Sequence, residues 1–531
     1  METESGGISG AEGNTASAPR ATSHQSHASH WSHLSHAPEV AILLLAVLLR
    51  LWSLDLKPAH FDEGVNGFFV DAMAKNGYYH YDATNFHGPL HFYVLFVAQT
   101  LLGREAWALR LPLALASIAC VAVMLFGFRR FVSVKASRWA ALAMAVSPGF
   151  VFYGRYAIHE TWLVLFLMLL VIGLAGMWRE GRVRDLWLTG IGFAGIVLTK
   201  ETWVIHALAL GLGGATLALL ERFSPSAAFD RGPTRFATDD VARVGTICAA
   251  VVLFFYSGCL LDPSGIAGFV QAYAVWTKTG TAGESGHEHP WNYWLDLLAA
   301  YEWPVLLGAV AALVVVAPHT NRFVRWLAIT ALGTLVAYAL IPYKTPWCLI
   351  AWAWPFLLVF GVAAEWLMAR VDRWTVAALA LLICGFSFAK SRTLNFVKFT
   401  DEEEPYVYVQ TTPDVNLLLD PLRWQLARDP STRYRPAHVL QEDKYPLLWL
   451  LGDRPNITWD DHDAEPEPLD AEWLLVDSAA KDRVEPALTA GYFRETLHIR
   501  GMAPDKTYLY LRAESFAGYY GDRRPDIPAK P

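Results

Sequence analysis

Five short clusters hold the residues most able to do chemistry. They are Asp62-Glu63, Arg155 with His159-Glu160, Lys200-Glu201, His287-Glu288-His289 and Tyr343-Lys344. A positioned carboxylate takes a proton from a hydroxyl as a general base. An arginine fork or a lysine point charge suits a phosphate or a carboxylate. Together these types suit chemistry on a phosphate ester. Cations would steady the leaving phosphate while a carboxylate accepts the proton of the attacking group. Asp62, Glu63 and Glu160 are the candidate acids and bases. Arg155, His159, Lys200, Glu201, His287, His289, Tyr343 and Lys344 are the candidate substrate contacts.

Each cluster also has a plain structural reading. An Asp-Glu pair at a helix start is favoured by the helix dipole. Arg155 and Glu160 could form an interfacial ion pair, and Lys344 could snorkel from a helix end. His287-Glu288-His289 is not HExxH, and alternate residues suit a loop or strand better than one helix face. No resident metal or other cofactor is expected, although that trio could offer ligands to a divalent cation.

The elements that must position these clusters are apolar. The chain has 531 residues, of which 54% are hydrophobic and only 18% charged. Soluble domains carry about 25% charge. Mostly apolar runs occur at 39–55, 106–127, 138–153, 161–178, 185–200, 202–220, 243–261, 302–318, 323–342, 347–367 and 374–391. A spanning helix needs about 20 such residues. The runs therefore predict a polytopic α-helical membrane protein with about 11 transmembrane helices. The run at 88–103 is short and holds Gly88, Pro89, His91 and Gln99. It reads as an interfacial helix that does not cross.

Charge sets the orientation. With a cytoplasmic N-terminus and eleven spans, the inner loops hold 15 Lys and Arg residues, from Arg129 to Arg373. That satisfies the positive-inside rule. If 88–103 spanned, the basic loops after it would face outward. In this topology all five polar clusters lie on the outer face of a cell membrane.

Residues 1–38 are Gly-, Ser-, Ala- and His-rich and predict a disordered cytoplasmic tail. Residues 39–394 form the membrane domain. Residues 395–531 hold 25 acidic and 16 basic residues and predict a small extracytoplasmic α/β domain. Strand-like runs lie at 406–410, 437–441, 472–477 and 507–511, with helix-like runs at 415–427, 445–451 and 482–490. An acidic domain repels nucleic acid, so none is expected as a partner. The five cysteines sit in or beside apolar runs and read as small buried hydrophobes.

The motif set resembles the GT-C superfamily of membrane glycosyltransferases. Within it, the likeness is to the glycosyltransferase 39-like group of protein O-mannosyltransferases and aminoarabinose transferases. The resemblance rests on Asp62-Glu63-Gly64 after the first span, Gly88-Pro89-Leu90, Arg110-Leu111-Pro112, and Ser147-Pro148 leading to Arg155 and Glu160. The segments His287-Glu288-His289-Pro290 and Tyr343-Lys344-Thr345-Pro346-Trp347 look like one prokaryotic branch, labelled as associated with flipping of lipid-linked sugars. The resemblance implies inverting transfer of a sugar from a polyprenyl phosphate to a protein, lipid or glycan acceptor. It gives Asp62 the key acidic role, with Glu63 in support, Glu160 as the second acid and Arg155 as the nearby basic residue. The rival reading is a non-catalytic component of lipid-linked sugar transport.

The topology is open to direct test. Reporter fusions at residues 180 and 235 should report the cytoplasm, and a fusion at 400 the outside. A cytoplasmic signal at 400 would overturn both the orientation and the face assigned to the site.

Overall fold

The computed structural model describes residues 36–227, 235–281, 286–317, 320–463, 469–500 and 506–531. The tail expected to be disordered over 1–38 lies almost wholly outside these residues. The first part of the chain is a helical bundle. Its helices are α1 Ala37–Leu51, α2 Phe61–Asn76, α3 Leu90–Leu102, α4 Ala106–Ala122, α5 Val134–Val146, α6 Glu160–Arg179, α7 Val183–Val197 and α8 Trp203–Leu220. It continues with α9 Thr238–Tyr256, α10 Ser264–Thr281, α11 Tyr293–Tyr301, α12 Trp303–Val315, α13 Arg322–Leu340, α14 Leu349–Met368 and α15 Arg373–Phe396.

All eleven expected spans fall on helices, but their lengths differ. Among the described residues, six helices are long and apolar enough to cross a membrane: Ala106–Arg130, Glu160–Arg179, Trp203–Leu220, Arg322–Leu340, Pro346–Met368 and Arg373–Phe396. Helices α1 and α7 have 15 residues each, and α12 has 13. The run expected at 138–153 is broken. Pro148 opens a new short helix, and the Ser147 hydroxyl caps it by accepting from the Phe150 N–H at 3.4 Å. Helix α3 has 13 residues, about 20 Å at 1.5 Å per residue, and so falls short of a bilayer core.

Three buried arginines hold one end of the bundle together. Arg50 donates to the Ser117 hydroxyl at 2.7 Å and to the carbonyls of Ala145 and Met144. Arg155 donates to the carbonyls of Leu49, Arg50, Trp52 and Ser53, which closes the end of α1. Arg110 donates to the carbonyls of Leu54, Lys57 and Pro58 and grips the Glu63 carboxylate at 2.8 and 2.6 Å. These carbonyls belong to a chain end and a loop with no secondary-structure partner, so the guanidinium forks satisfy groups that would be costly to bury alone.

The last part of the chain is a five-stranded sheet with helices on both faces. Its elements are α16 Val415–Arg428, β1 Ala437–Leu440, β2 Ile457–Asp460, β3 Trp473–Asp477, α17 Ser478–Ala487, β4 Tyr492–Leu497, β5 Thr507–Arg512 and α18 Ala513–Tyr520. The strand order is β2-β1-β3-β5-β4. Strands β1, β2 and β3 run parallel, and β5 is antiparallel to β3 and β4. Strand β3 is a continuous apolar run because both its faces are covered. Trp473 and Leu475 pack toward α16, whereas Leu474 and Val476 pack toward α17.

Two differences from the sequence reading matter. The run at 406–410 is not a strand. Tyr406 is buried against Tyr153 and Tyr301, with ring centroids 5.4 and 4.3 Å away, so the segment enters the bundle instead of the sheet. Strands β2 and β4 were not expected, because Thr458, Asp460, Arg494 and Glu495 mask their alternation. The sheet domain docks on α2 through Trp449. Gly67 permits this: a Cβ there would lie 2.4 Å from the Trp449 ring.

The Arg110–Glu63 pair carries a stability prediction. Both side chains are 1% exposed or less. Removing one partner of such a pair costs about 3–5 kcal/mol, because the other charge is left buried and alone. Arg110→Leu should lower the unfolding free energy of the purified protein in detergent by that amount. A loss below about 1 kcal/mol would show that the pair does not hold the fold.

Candidate active site

A cavity of about 610 Å³ opens between the bundle ends and the sheet domain. The first turn of α2 supplies Phe61, Asp62, Val65 and Asn66. Loops supply Asn85, Phe86 and His87, then Ile158 and His159, then Lys200, Glu201 and Thr202. Glu160 opens α6, and Tyr343, Trp347 and Cys348 close the far side. Val409 and Arg500 come from the last part of the chain.

Local structure explains these positions. The Asp62-Glu63 pair does begin a helix. His60 accepts from the Asp62 N–H at 3.1 Å, and Glu63 accepts from the His60 N–H at 2.9 Å, which makes a capping box. Glu63 also accepts from the Ala157 N–H at 2.9 Å. The Ala157 carbonyl takes the Asn66 amide at 2.8 Å, and the His91 ring lies 3.1 Å from it. The peptide just before Ile158-His159-Glu160 is thus tied to both α2 and α3. The opposite wall is fixed by a close backbone approach. Gly88 and Leu90 donate to the carbonyls of Thr199 and Leu198 at 3.2 and 3.1 Å. A Cβ on Gly88 would lie 2.2 Å from the Leu198 carbonyl oxygen, so only glycine lets the loop come this near.

The charges in the cavity are mostly committed to one another. Lys200 pairs with Glu160, both almost fully buried. Burial alone would lower the Lys200 pKa, but the Glu160 carboxylate outweighs it and holds the lysine protonated well above its ordinary value. Glu201 lies 2.8 Å from the His87 ring. Burial would raise its pKa, and His87 with Lys200 brings it below the usual range. His159 is buried with its ring centroid 4.5 Å from His87 and 4.1 Å from His91. Burial first, and then the neighbouring His91, His87 and Lys200, push its pKa well down. Asp62 differs. Its carboxylate lines the cavity and makes no hydrogen bond or ion pair among the described residues.

The structure brings together Asp62, His159, Glu160, Lys200, Glu201, His287 and Tyr343 of the candidates read from the sequence. It places the others elsewhere. Glu63 is spent on Arg110 and on two backbone N–H groups, so its oxygens have no face toward a substrate. Arg155 is 1% exposed and clamps the end of α1, so it is not the cation beside the acids that the resemblance implied. Lys344 turns inward onto the carbonyls of His289 and Ile341 at 2.9 and 2.5 Å. His289 stacks on Tyr293 with centroids 4.0 Å apart. Their loop instead presents His287, whose Nδ1 lies 2.6 Å from the Tyr408 hydroxyl. Among the described residues no three His, Cys, Asp or Glu side chains gather as a metal-holding group.

Several residues were given no role by the sequence reading. Arg110 appeared only within the Arg110-Leu111-Pro112 motif, although as a lone charge in an apolar run, where ionisable groups are costly, it carried a signal of its own. His87 stands beside the quoted Gly88-Pro89 but belongs to no cluster. Tyr408, Val409 and Arg500 carried no local signal, since they reach the cavity only through the path of the chain after α15.

Comparison with known proteins agrees with this architecture. Residues 86–222 match the family model described as dolichyl-phosphate-mannose-protein mannosyltransferase. A Bacillus subtilis (strain 168) relative, "Putative mannosyltransferase YkcB", is 27% identical over 172 residues, which cover 29% of this chain and 24% of that protein. The match therefore spans about a quarter of that relative's length. The crystal structure of ArnT from Cupriavidus metallidurans bound to undecaprenyl phosphate superposes with a TM-score of 0.60 at 14% identity, covering 91% of this chain and 98% of that one. The oligosaccharyltransferase of Archaeoglobus fulgidus, tethered to an acceptor peptide, superposes with a TM-score of 0.55 at 12% identity, covering 92% and 76%. The chain is thus a multi-pass membrane protein that shares the overall fold of these two solved proteins.

Proposed function

We propose that the protein transfers a sugar from a polyprenyl-phosphate donor to an acceptor hydroxyl or amide on the outer face of the cell membrane, with inversion at the anomeric carbon. The observation that carries this reading is the state of Asp62. Of the three carboxylates lining the cavity among the described residues, Glu160 is held by Lys200 and Glu201 by His87, whereas Asp62 makes no ion pair with any described residue. A base needs an unshared lone pair and access to the reacting group, and Asp62 has both.

The proposed step is a single displacement. The acceptor atom attacks the anomeric carbon, and the bond from that carbon to the phosphate oxygen breaks. The phosphate leaves on its lipid, and the acceptor's proton passes to Asp62. Lys200, held against Glu160, is one cation on the wall toward which the phosphate charge grows. His159 and His287 offer ring nitrogens to sugar hydroxyls, and Tyr343 and Trp347 offer ring faces to the sugar. No step calls for a metal or another cofactor.

Two comparisons support the donor class. The ArnT structure is described as bound to undecaprenyl phosphate, and the matching family model is described by transfer from dolichyl-phosphate-mannose. Both name a polyprenol-type lipid bearing one phosphate, in the second case carrying mannose. The sugar itself and the class of acceptor, whether protein, lipid or glycan, follow from neither.

Asp62→Asn tests the reading. The amide keeps the size of the side chain and can still serve a helix start, but it cannot take the proton. Loss of a positioned base costs about 10²–10⁴-fold in rate. Transfer from a radiolabelled polyprenyl-phosphate sugar should fall by that factor in matched reconstitutions, with folding unchanged. Activity within a few fold of wild type would remove Asp62 from the mechanism. A wild type that transfers nothing yet moves lipid-linked sugar across vesicles would favour the transport reading.

A further inference from the structure

Arg500 belongs to the sheet domain, yet it lines the cavity beside Phe61 and Asp62. Its guanidinium carbon lies 5.0 Å from the centre of the Phe61 ring. Its backbone is held in place. Arg500 forms an antiparallel bridge with Thr411, and the Thr412 N–H donates to the Ile499 carbonyl at 2.9 Å. The same strap carries Val409, which also lines the cavity and has φ = 54°. A β-branched residue in the left-handed region is strained and is held there by its surroundings. Just upstream, Tyr408 is fixed on both sides: its carbonyl lies 2.8 Å from the His60 ring and its hydroxyl 2.6 Å from His287.

The partner of Arg500 is what sets it apart. Among the described residues lining the cavity, the lysines and arginines are Lys200 and Arg500. Lys200 cannot leave Glu160 without stranding a carboxylate that is 2% exposed. Arg500 pairs with Asp443, whose side chain is 39% exposed, while Arg500 itself is 20% exposed. A pair this open to water is weak, and water readily takes the place of one member. A phosphate offers a stronger bidentate match to the guanidinium fork than a solvated carboxylate does.

We propose that Arg500 is a phosphate-binding residue of the cavity, and that it exchanges Asp443 for the phosphate of the lipid carrier when the carrier binds. The sheet domain then supplies one arm of the substrate site, and Asp443 is a built-in competitor that keeps the arm in place while the cavity is empty. The inference rests on the polyprenyl-phosphate reading of the donor.

Equilibrium binding of undecaprenyl phosphate to the full-length protein in nanodiscs tests it without any need for transfer. Arg500→Ala should weaken binding by about tenfold or more, the usual worth of a charge-assisted hydrogen bond. Arg500→Lys should recover part of the loss. Asp443→Asn should do the opposite and tighten binding by a few fold, because the competitor is gone. Undecaprenol, which has no phosphate, and inorganic phosphate alone serve as further probes. Undecaprenol should bind all variants alike, and inorganic phosphate should bind weakly, which places the recognition in a phosphate presented on its lipid. A purely structural Arg500–Asp443 pair would make both substitutions weaken binding together, and that result would overturn the proposal. So would unchanged binding by a folded Arg500→Ala protein. A wild type that fails to bind undecaprenyl phosphate would overturn the donor reading itself, and this inference with it.

Discussion

Arg110 is a fully buried cation, and much of the site is arranged around it. One side of its guanidinium grips the Glu63 carboxylate. The rest holds the carbonyls of Leu54, Lys57 and Pro58, which form the loop between α1 and α2. Glu63 in turn accepts from the His60 and Ala157 N–H groups. A charge buried this deeply is tolerable only when its hydrogen-bonding capacity is filled. That demand fixes the start of α2, and the start of α2 fixes Asp62. It also fixes Ala157, and through it His159 and Glu160. Two walls of the cavity therefore depend on one ion pair.

Most of the remaining charges among the described residues around the cavity are spent on structure. Arg155 and Lys344 are turned onto backbone carbonyls. Lys200 and Glu201 are each held by a neighbour of opposite sign. A cavity lined by neutralised pairs keeps its shape, and among the described residues it leaves Asp62 as the carboxylate with a lone pair to offer. The path of residues 406–411 adds a second constraint. This strap crosses from α15 to the sheet domain through the cavity wall, held by Tyr153, Tyr156, His60 and His287. The sheet domain is thereby part of the site's frame.

Much of this was legible in the sequence. The eleven apolar runs all became helices, because apolar length and short polar breaks dictate them. Strands β1, β3 and β5 showed as apolar stretches. The convergence of Asp62, Glu160, Lys200 and His287 on one face followed from the order of the runs and the placement of the polar breaks. What sequence pattern could not resolve was which member of a polar cluster faces inward. Asp62 and Glu63 are adjacent and chemically alike, and only the partnership of Glu63 with Arg110 across 47 positions separates their fates. Tyr343 and Lys344 divide in the same way, because the Lys344 ammonium satisfies the turn's own carbonyls. Arg500 was invisible for another reason: its place depends on a strap that the apolar pattern misread as a strand.

The central claim is that Asp62 faces the reacting carbon of a polyprenyl-phosphate sugar. A structure with such a donor, or a non-hydrolysable analogue, bound in a lipid nanodisc tests it most directly. The account predicts the sugar in the cavity between α2 and the 341–348 segment. It predicts the phosphate toward Lys200, and the Asp62 carboxylate on the opposite side of the anomeric carbon with room for one acceptor group between them. A donor bound with its phosphate beside Asp62, or with its sugar outside this cavity, would contradict it.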